Sequence, residues 1–231
     1  MVALVVVLAV SLAFVGLRHT WAAPSTSVIR TRFTVRPAAP LPTGRAVIGG
    51  AGHPLVWPAI QSPDTESVPA PGGVDFTIAN PGEADWLPLP DSSVLAHARV
   101  DGDVRFLSGA SGNALGLGCE DQAQFLQFWF FIHDDGTWTF DRTPAGTGTS
   151  VFLLDRGFTT SLQPTTDANH LAVACQVITP QETVFRLAVN GKPVADLDVS
   201  VPSMGWMPII AQCSPNGPDT GRFTNLVQST W

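Results

Sequence analysis

The stretch that decides the fold is Gly118–Phe140, GCEDQAQFLQFWFFIHDDGTWTF. An apolar run from Phe125 to Ile132, interrupted only by Gln127, leads into the turn residues His133-Asp134-Asp135-Gly136 and then into a segment that alternates polar with aromatic residues. Asp-Gly between two such runs predicts a β-hairpin, because Gly accepts the positive φ that a tight turn requires. We expect the hairpin to place its aromatic residues in the middle of a β-core, namely Phe125, Trp129, Phe131, Trp138 and Phe140.

The rest of the chain also favours short strands over helices. Hydrophobic residues make up 45% of the 231 residues and charged residues 13%, with 21 Gly and 20 Pro. The segments 169–178 and 183–190 alternate apolar and polar residues, and the second ends in the hairpin dipeptide Asn190-Gly191. Roughly ten to twelve short strands after residue 73 predict an all-β protein, a two-sheet antiparallel β-sandwich of the jelly-roll type.

The sequence divides into three parts. Residues 1–21 are almost wholly apolar up to Leu17 and predict one hydrophobic helix, a transmembrane anchor or an uncleaved signal segment. Residues 22–73 contain nine Pro and predict an extended linker, although its short apolar patches 46–48 and 55–57 could dock on the domain. Residues 74–231 are predicted to form the β-sandwich domain.

Charge is unevenly distributed along the chain. Residues 1–63 contain five Arg and no Asp or Glu, so the remainder of the chain has a net charge of −12. An acidic domain argues against a nucleic-acid partner, because phosphate binding needs a basic surface. The Arg-rich flank could touch anionic lipid head groups or be a solvated linker. The positive-inside rule would place this flank in the cytoplasm. This placement conflicts with the exported C-terminal domain that the cysteines favour.

Six segments together resemble a known family. They are Gly118-Cys119, Asp135-Gly136-Thr137-Trp138, Leu154-Asp155-Arg156-Gly157, the run 169–175, the run 185–194 and the run 221–227. They are similar to the concanavalin A-like (laminin-G-like, 3-keto-disaccharide-hydrolase-like) jelly-roll domains of bacterial membrane-anchored surface proteins. The resemblance covers roughly residues 74–228 and implies the sandwich fold. Glu120, where Arg is usual, and Thr224-Asn225-Leu226, in place of a final Asp-Asn-Phe, depart from the pattern.

The three cysteines, Cys119, Cys175 and Cys213, lack the close spacing of a zinc site and allow three disulfides, among which the residues alone do not choose. The family resemblance implies the pair Cys119–Cys175 and leaves Cys213 alone. A disulfide requires an oxidising compartment, which would make the domain extracytoplasmic and membrane-anchored, or alternatively secreted. The alternative is three reduced, buried thiols in a cytosolic domain.

No group of residues predicts catalysis, cofactor binding or a metal site. Glu120 and Asp121 are consecutive and point to opposite faces of a strand, whereas Asp196 and Asp198 share a face but follow a hairpin, where solvated acids are expected. The tip His133-Asp134-Asp135 could ligate calcium, although a polar hairpin tip needs the same residue types. Four Trp lie near Pro or the end of the sequence and could stack on a sugar or belong to the core: Trp57, Trp86, Trp206 and Trp231.

These observations predict a non-catalytic, extracytoplasmic, membrane-anchored module that binds a glycan or another cell-envelope component. Two alternatives remain open at this point. The first is a glycoside-processing hydrolase, which would need two carboxylates converging in a groove. The second is a structural or assembly module, which would show an exposed apolar patch or an unpaired edge strand.

Overall fold

The computed structural model describes residues 33–49, 55–109, 112–124, 126–144, 152–163 and 167–231. The predicted hydrophobic segment 1–21 and Phe125 lie outside these residues. The described part contains no helix, and hence none long and apolar enough to span a membrane. Its sixteen strands are β1 Phe33–Arg36, β2 Arg45–Gly49, β3 Ile60–Gln61, β4 Thr65–Ala70, β5 Gly73–Ile78, β6 Glu83–Pro88, β7 His97–Ser108, β8 Ala114–Asp121, β9 Leu126–His133, β10 Thr137–Pro144, β11 Phe152–Phe158, β12 Asn169–Thr179, β13 Glu182–Val189, β14 Lys192–Val199, β15 Met207–Ser214 and β16 Asp219–Thr230.

The strands form two antiparallel sheets that pack face to face. The ten-stranded sheet has the order β1-β14-β13-β12-β7-β16-β5-β4-β3, with β2 paired to one end of β16. The six-stranded sheet has the order β11-β10-β9-β8-β15-β6. The predicted all-β, two-sheet antiparallel sandwich is therefore confirmed. The predicted hairpin is also present, since β9 pairs with β10 across the turn that ends at Gly136, where φ is +86°.

The core lies between the sheets and is built from alternate residues of each strand. In β12, Leu171, Val173 and Cys175 face inward, as their spacing of two residues predicts. Aromatic rings fill the centre: Phe128 of β9 lies 4.6 Å from Phe185 of β13, measured between ring centroids. Since these rings come from different sheets, their packing fixes the two sheets against each other.

The prediction of an extended linker over residues 22–73 is wrong for much of this segment. β1 pairs with β14, β2 with β16, and β4 with β5, so residues on both sides of Pro54 add strands to the ten-stranded sheet. The two apolar patches explain the difference, because Trp57 is buried in the core and Ile48 packs against it. Burying these side chains offsets the entropy of ordering the segment. The sandwich therefore begins well before residue 74.

The aromatic residues of the hairpin do not all enter the core between the sheets. Trp138 and Phe140 do, but Trp129 and Phe131 point to the opposite side of the six-stranded sheet, where they join a second apolar cluster. The reason is the period of two in a strand: Phe128 faces inward, so its neighbour Trp129 faces outward. Both faces of β9 are buried, which makes its sequence a continuous apolar run.

A disulfide joins the two sheets. Cys119 of β8 is bonded to Cys175 of β12, and both residues are fully buried. This confirms the pair that the family resemblance implied. Cys213, the remaining cysteine, is half-buried and free.

We expect the double variant Cys119→Ala/Cys175→Ala to lose about 4 kcal/mol of unfolding free energy, because the bridge closes a long loop with a sequence separation of 56. Denaturant unfolding of the full chain, followed by Trp fluorescence, measures the loss. Cys213→Ala is the control and should change stability much less. Identical unfolding curves with and without reductant would contradict the prediction.

Candidate functional site

The outer face of the six-stranded sheet, which points away from the ten-stranded sheet, has an apolar centre. Its buried members are Ala114, Trp129, Phe131, Met207, Ile209 and Ala211. Gly118 and Gly116 of β8 lie opposite Trp129 and Phe131 of β9. A Cβ on Gly116 would lie 2.7 Å from the Phe131 ring, so this glycine makes room for the ring. The Trp129 and Phe131 rings meet edge to face at 5.5 Å.

A chain of hydrogen bonds follows the apolar centre on the same face. The Thr139 hydroxyl donates to Asp141 Oδ2 at 2.7 Å, and its oxygen lies 3.1 Å from His133 Nε2. Because the hydroxyl hydrogen is directed at Asp141, the Thr139 oxygen is free to accept a hydrogen bond from His133 Nε2. Burial raises the pKa of Asp141 to about 6, against the opposing hydrogen bond from Thr139. Burial lowers the pKa of His133, so its imidazole is neutral at pH 7.

Glu120 adds a second carboxyl group to this face. It is 4% exposed, lies opposite Gln127 and Met207, and its Oε2 has no hydrogen-bond partner in the structure. Burial and then the charge of Asp121 raise its pKa to about 7. Asp121 itself accepts hydrogen bonds from the backbone of the following turn. The outer face thus holds two carboxyl groups with raised pKa values, on β8 and β10, with β9 between them.

A cavity of about 310 Å³ opens at one end of the sandwich; we call it the rim cavity. One wall is the hairpin turn from His133 to Gly136, and the other is the segment from Phe158 to Gln163. Phe158 is 67% exposed, which is unusual for a large aromatic ring. The lining residues are Phe106, Ile132, His133, Asp134, Asp135, Gly136, Phe158, Thr159, Thr160, Leu162, Gln163 and Asn169.

The hairpin wall is held by bonds within the turn. Asp135 Oδ1 accepts hydrogen bonds from Thr137 N at 2.9 Å and from Thr137 Oγ1 at 2.6 Å, which lower the pKa of Asp135. Asp134 Oδ1 accepts from Gly112 N at 3.0 Å, and His133 Nε2 faces Thr139. The three tip residues considered for calcium therefore turn to three different partners. Within the described ranges, no group of three or more His, Cys, Asp or Glu residues is placed to hold a metal.

The opposite wall is held by two asparagines. Asn169 Oδ1 accepts from Gln163 N at 2.7 Å and from Asn190 Nδ2 at 2.9 Å. Asn190 Nδ2 also donates to Ser161 O at 2.5 Å. Asn190 has φ of +50°, as the predicted Asn190-Gly191 turn requires. The turn between β13 and β14 thus fixes residues 161–163 of this wall.

The other residues considered from the sequence lie elsewhere. Asp196 and Asp198 lie on the outer face of the ten-stranded sheet, where they form ion pairs with Arg186 and Arg36. Burial raises the pKa of the Cys213 thiol to about 11, which leaves it protonated and unreactive.

In the structure, the aromatic ring that is placed to stack on a sugar belongs to a Phe and not to a Trp. None of the Trp residues in the described ranges is exposed: Trp57 and Trp206 are buried, and Trp86 and Trp231 are half-buried. Phe158 is the exposed ring beside polar groups, and no motif in the sequence singles it out. Its position at the end of an edge strand, after Gly157, was the available signal.

Comparison with known proteins identifies the fold. No family model and no curated protein matches the chain. Among solved structures, an endo-β-1,4-glucuronan lyase from the fungus Trichoderma reesei matches with a TM-score of 0.53 and 6% identity over 82% of this chain and 96% of that one. The chain has a concanavalin A-like β-sandwich fold.

Two further structures share this architecture less closely. An engineered GH43 glycoside hydrolase matches with a TM-score of 0.50 and 10% identity, over 73% of this chain and 36% of that one. The alginate lyase Aly36B matches with a TM-score of 0.47 and 14% identity, over 71% of this chain and 83% of that one. At identities this low, the glucuronan lyase and the GH43 hydrolase show the fold alone, and the function of the sandwich is argued from its own residues.

The raised pKa of Glu120 predicts a pH dependence of stability. The folded protein holds this proton more tightly than the unfolded chain, whose carboxyl group has the ordinary value of 4.5. The stabilisation is complete below that value and is lost as pH rises through about 7. Over this pH interval, wild type should lose on the order of 1–3 kcal/mol of unfolding free energy, and Glu120→Gln should not show this loss. Denaturant unfolding from pH 4 to pH 8 measures it.

Glu66→Gln, at an exposed position on β4, is the matched control. It should leave the slope of unfolding free energy against pH unchanged. Parallel slopes for wild type and Glu120→Gln would show that Glu120 titrates normally.

Proposed function

We propose that this protein is a non-catalytic, extracytoplasmic binding module for a glycan, held at a membrane by its hydrophobic segment 1–21. The observation that carries the proposal is the rim cavity, where the exposed ring of Phe158 stands beside the carboxylates and amides of the two walls. Binding pockets combine an apolar surface with a few fixed polar groups. A sugar ring needs both, because its C–H face packs on aromatic rings and its hydroxyl groups form hydrogen bonds.

The charges of the cavity suit a neutral or cationic sugar better than an acidic one. Asp135 is ionised at neutral pH, since hydrogen bonds from Thr137 lower its pKa, and burial keeps His133 neutral. An anionic polysaccharide would meet carboxylates at the hairpin wall. Hydroxyl groups of a neutral glycan can instead donate to these carboxylates and exchange hydrogen bonds with Gln163.

The extracytoplasmic location and the ligand class have separate support. The buried bridge between Cys119 and Cys175 favours an oxidising compartment. Two proteins with the same fold, the glucuronan lyase and the GH43 hydrolase, are named for action on polysaccharides. From these two proteins we carry over to the present chain only the general class of ligand, a polysaccharide.

We expect Phe158→Ala to weaken glycan binding about tenfold, which corresponds to the loss of about 1.4 kcal/mol of aromatic contact. The full chain, purified in detergent, is first applied to a glycan array, and the affinity for the best neutral oligosaccharide is measured by calorimetry. Phe33→Ala is the matched control, because Phe33 is 41% exposed and lies on β1, outside the rim cavity. Equal weakening by both variants, or no neutral glycan bound, would reject the proposal.

One observation favours a second candidate, a glycoside hydrolase acting on the outer face of the six-stranded sheet. Glu120 and Asp141 are two strands apart and offset by two residues along the strands, since Trp129 pairs with both Gly118 and Asp141, which places their backbones about 12 Å from each other. Their side chains would have to lean toward each other to reach the separation of about 6.5–9.5 Å between the carboxyl groups of inverting glycosidases, which also need one acid with a raised pKa. Glu120 fits the acid, and Asp141, bonded to Thr139, fits the base.

Release of reducing ends from a bound polysaccharide separates the two candidates. A hydrolase would release them, and Glu120→Gln and Asp141→Asn would each lower the rate at least about a hundredfold. Glu66→Gln would leave the rate unchanged. A glycan that is bound through Phe158 and never cleaved would reject the hydrolase and support the binding module.

A further inference from the structure

The chain enters the sandwich at the end opposite to the rim cavity; we call this end the entry end. Phe33, the first residue of β1, pairs with Val199 at the end of β14. Val199 also pairs with Thr183, and Thr183 pairs with Val177 near the end of β12. The rim cavity is lined by Asn169, at the start of β12. The length of β12 therefore separates the two ends.

Four loops that are bonded to one another form the surface of the entry end. Ser203 N donates a hydrogen bond to Pro180 O at 3.2 Å. Leu95 and Trp206 exchange two backbone hydrogen bonds, of 3.0 and 2.9 Å. The Gln124 side-chain amide donates to the backbone of the loop that contains Ser203. These bonds join the loops 89–95, 122–124, 178–182 and 200–206 into one surface.

Apolar side chains project from this surface into solvent. Met204 is 90% exposed, Val94 49% and Ile178 48%. A Cβ built on Gly205 would lie 2.7 Å from Val94 Cγ1, so Val94 lies beside the loop that carries Met204. Exposing a whole Met side chain to water is unfavourable, because it keeps apolar area hydrated. Exposed apolar patches of this kind mark surfaces that contact a partner or a membrane.

The same surface carries little charge. Asp91 and Glu182 are the only charged residues in its four loops, and Asp121, which precedes one of them, is buried. The rim cavity, in contrast, is lined by Asp134 and Asp135. Because like charges repel, an acidic domain would approach an anionic surface most easily through an end that carries few carboxylates. The entry end meets this condition.

We propose that the entry end lies against a lipid bilayer, with the side chains of Met204, Ile178 and Val94 inserted among the head groups. The inference rests on the membrane segment 1–21 of the proposed function. Residues 22–32 connect this segment to β1 and span at most about 40 Å when fully extended. The twelve residues of β7 are about 40 Å long. The rim cavity could face the bilayer only if the connection ran straight along the whole sandwich.

The chemistry of the surface fits an anionic bilayer. Apolar side chains that leave water for the boundary between head groups and acyl chains are stabilised there. Arg30 and Arg32, which precede β1 in the sequence, can pair with anionic head groups in the same layer. With the entry end at the membrane, the rim cavity and Phe158 face the solution, where a glycan can reach them.

The test uses the full chain in vesicles of phosphatidylcholine and phosphatidylglycerol, with flotation in a density gradient measured first. A fluorescent dye is attached either at Gln181→Cys, in the entry end, or at Lys192→Cys, beyond the other end of β13. Both positions are exposed, and Cys213→Ala removes the free thiol from both proteins. Spin-labelled lipid should quench the dye at position 181 at least about threefold more than the dye at position 192, because β13 separates them by about 25 Å.

A charged variant of the patch tests whether its apolar side chains make the contact. Met204→Asp combined with Ile178→Asp should lower the quenching at position 181 to that at position 192, because carboxylates are unfavourable among acyl chains. Leu107→Asp is the matched control, at an exposed apolar position near the far end of β7, and should leave the quenching unchanged. Both variants should keep the Tm of wild type, since the replaced side chains are exposed.

The outcomes separate this inference from the proposed function. Equal quenching at positions 181 and 192, in chains that float with the vesicles, would overturn the inference and leave the membrane anchor standing. Chains that do not float would reject the anchor and the inference with it. Quenching between two labelled copies, without an effect of spin-labelled lipid, would assign the entry end to an interface between copies and also overturn the inference. No glycan is present, so the result is independent of the ligand of the rim cavity.

Discussion

The contact between the two sheets is the constraint on which the remaining structure depends. Cys119 and Cys175 cross this contact in a covalent bond, and the rings of Phe128, Phe185 and Trp206 pack around the centre with centroid distances of 4.6–5.4 Å. Neither sheet could hide its inner face alone, because a sheet needs a second layer to cover its apolar side. The outer faces carry the groups of functional interest only because this inner contact holds their strands in register.

Local patterns were sufficient to predict the architecture. The turns at Gly136 and Asn190-Gly191 have the positive φ that their sequences indicate, and β12 alternates as its spacing requires. The predicted linker failed because composition averages over a segment, whereas pairing depends on single apolar residues. Trp57 reaches the core despite its Pro-rich surroundings. A Pro-rich stretch can pair at the edge of a sheet, where a missing N–H is tolerated.

Both candidate sites depend on contacts that the sequence does not display. His133, Asp134 and Asp135 attracted notice because they are consecutive, yet their side chains turn to different partners. Glu120 and Asp141 lie on the same face of the six-stranded sheet, on either side of β9, and no motif relates them. The sequence of β9 does not show that Trp129 faces outward, because residues on both faces of this strand are apolar. Long-range register, which sets these contacts, follows from the whole sheet and not from one segment.

The position of β16 has a consequence for the order of folding. This strand pairs with β2, β5 and β7, so strands from the beginning of the sandwich find their neighbour only in a segment near residue 219 and beyond. Until that segment is available, the early strands have open edges and exposed apolar side chains. Contacts between such distant segments close slowly, because the chain between them must be ordered first. During synthesis, the early half of the sandwich would therefore remain unfolded, with its apolar strands open to aggregation, until the late strand arrives.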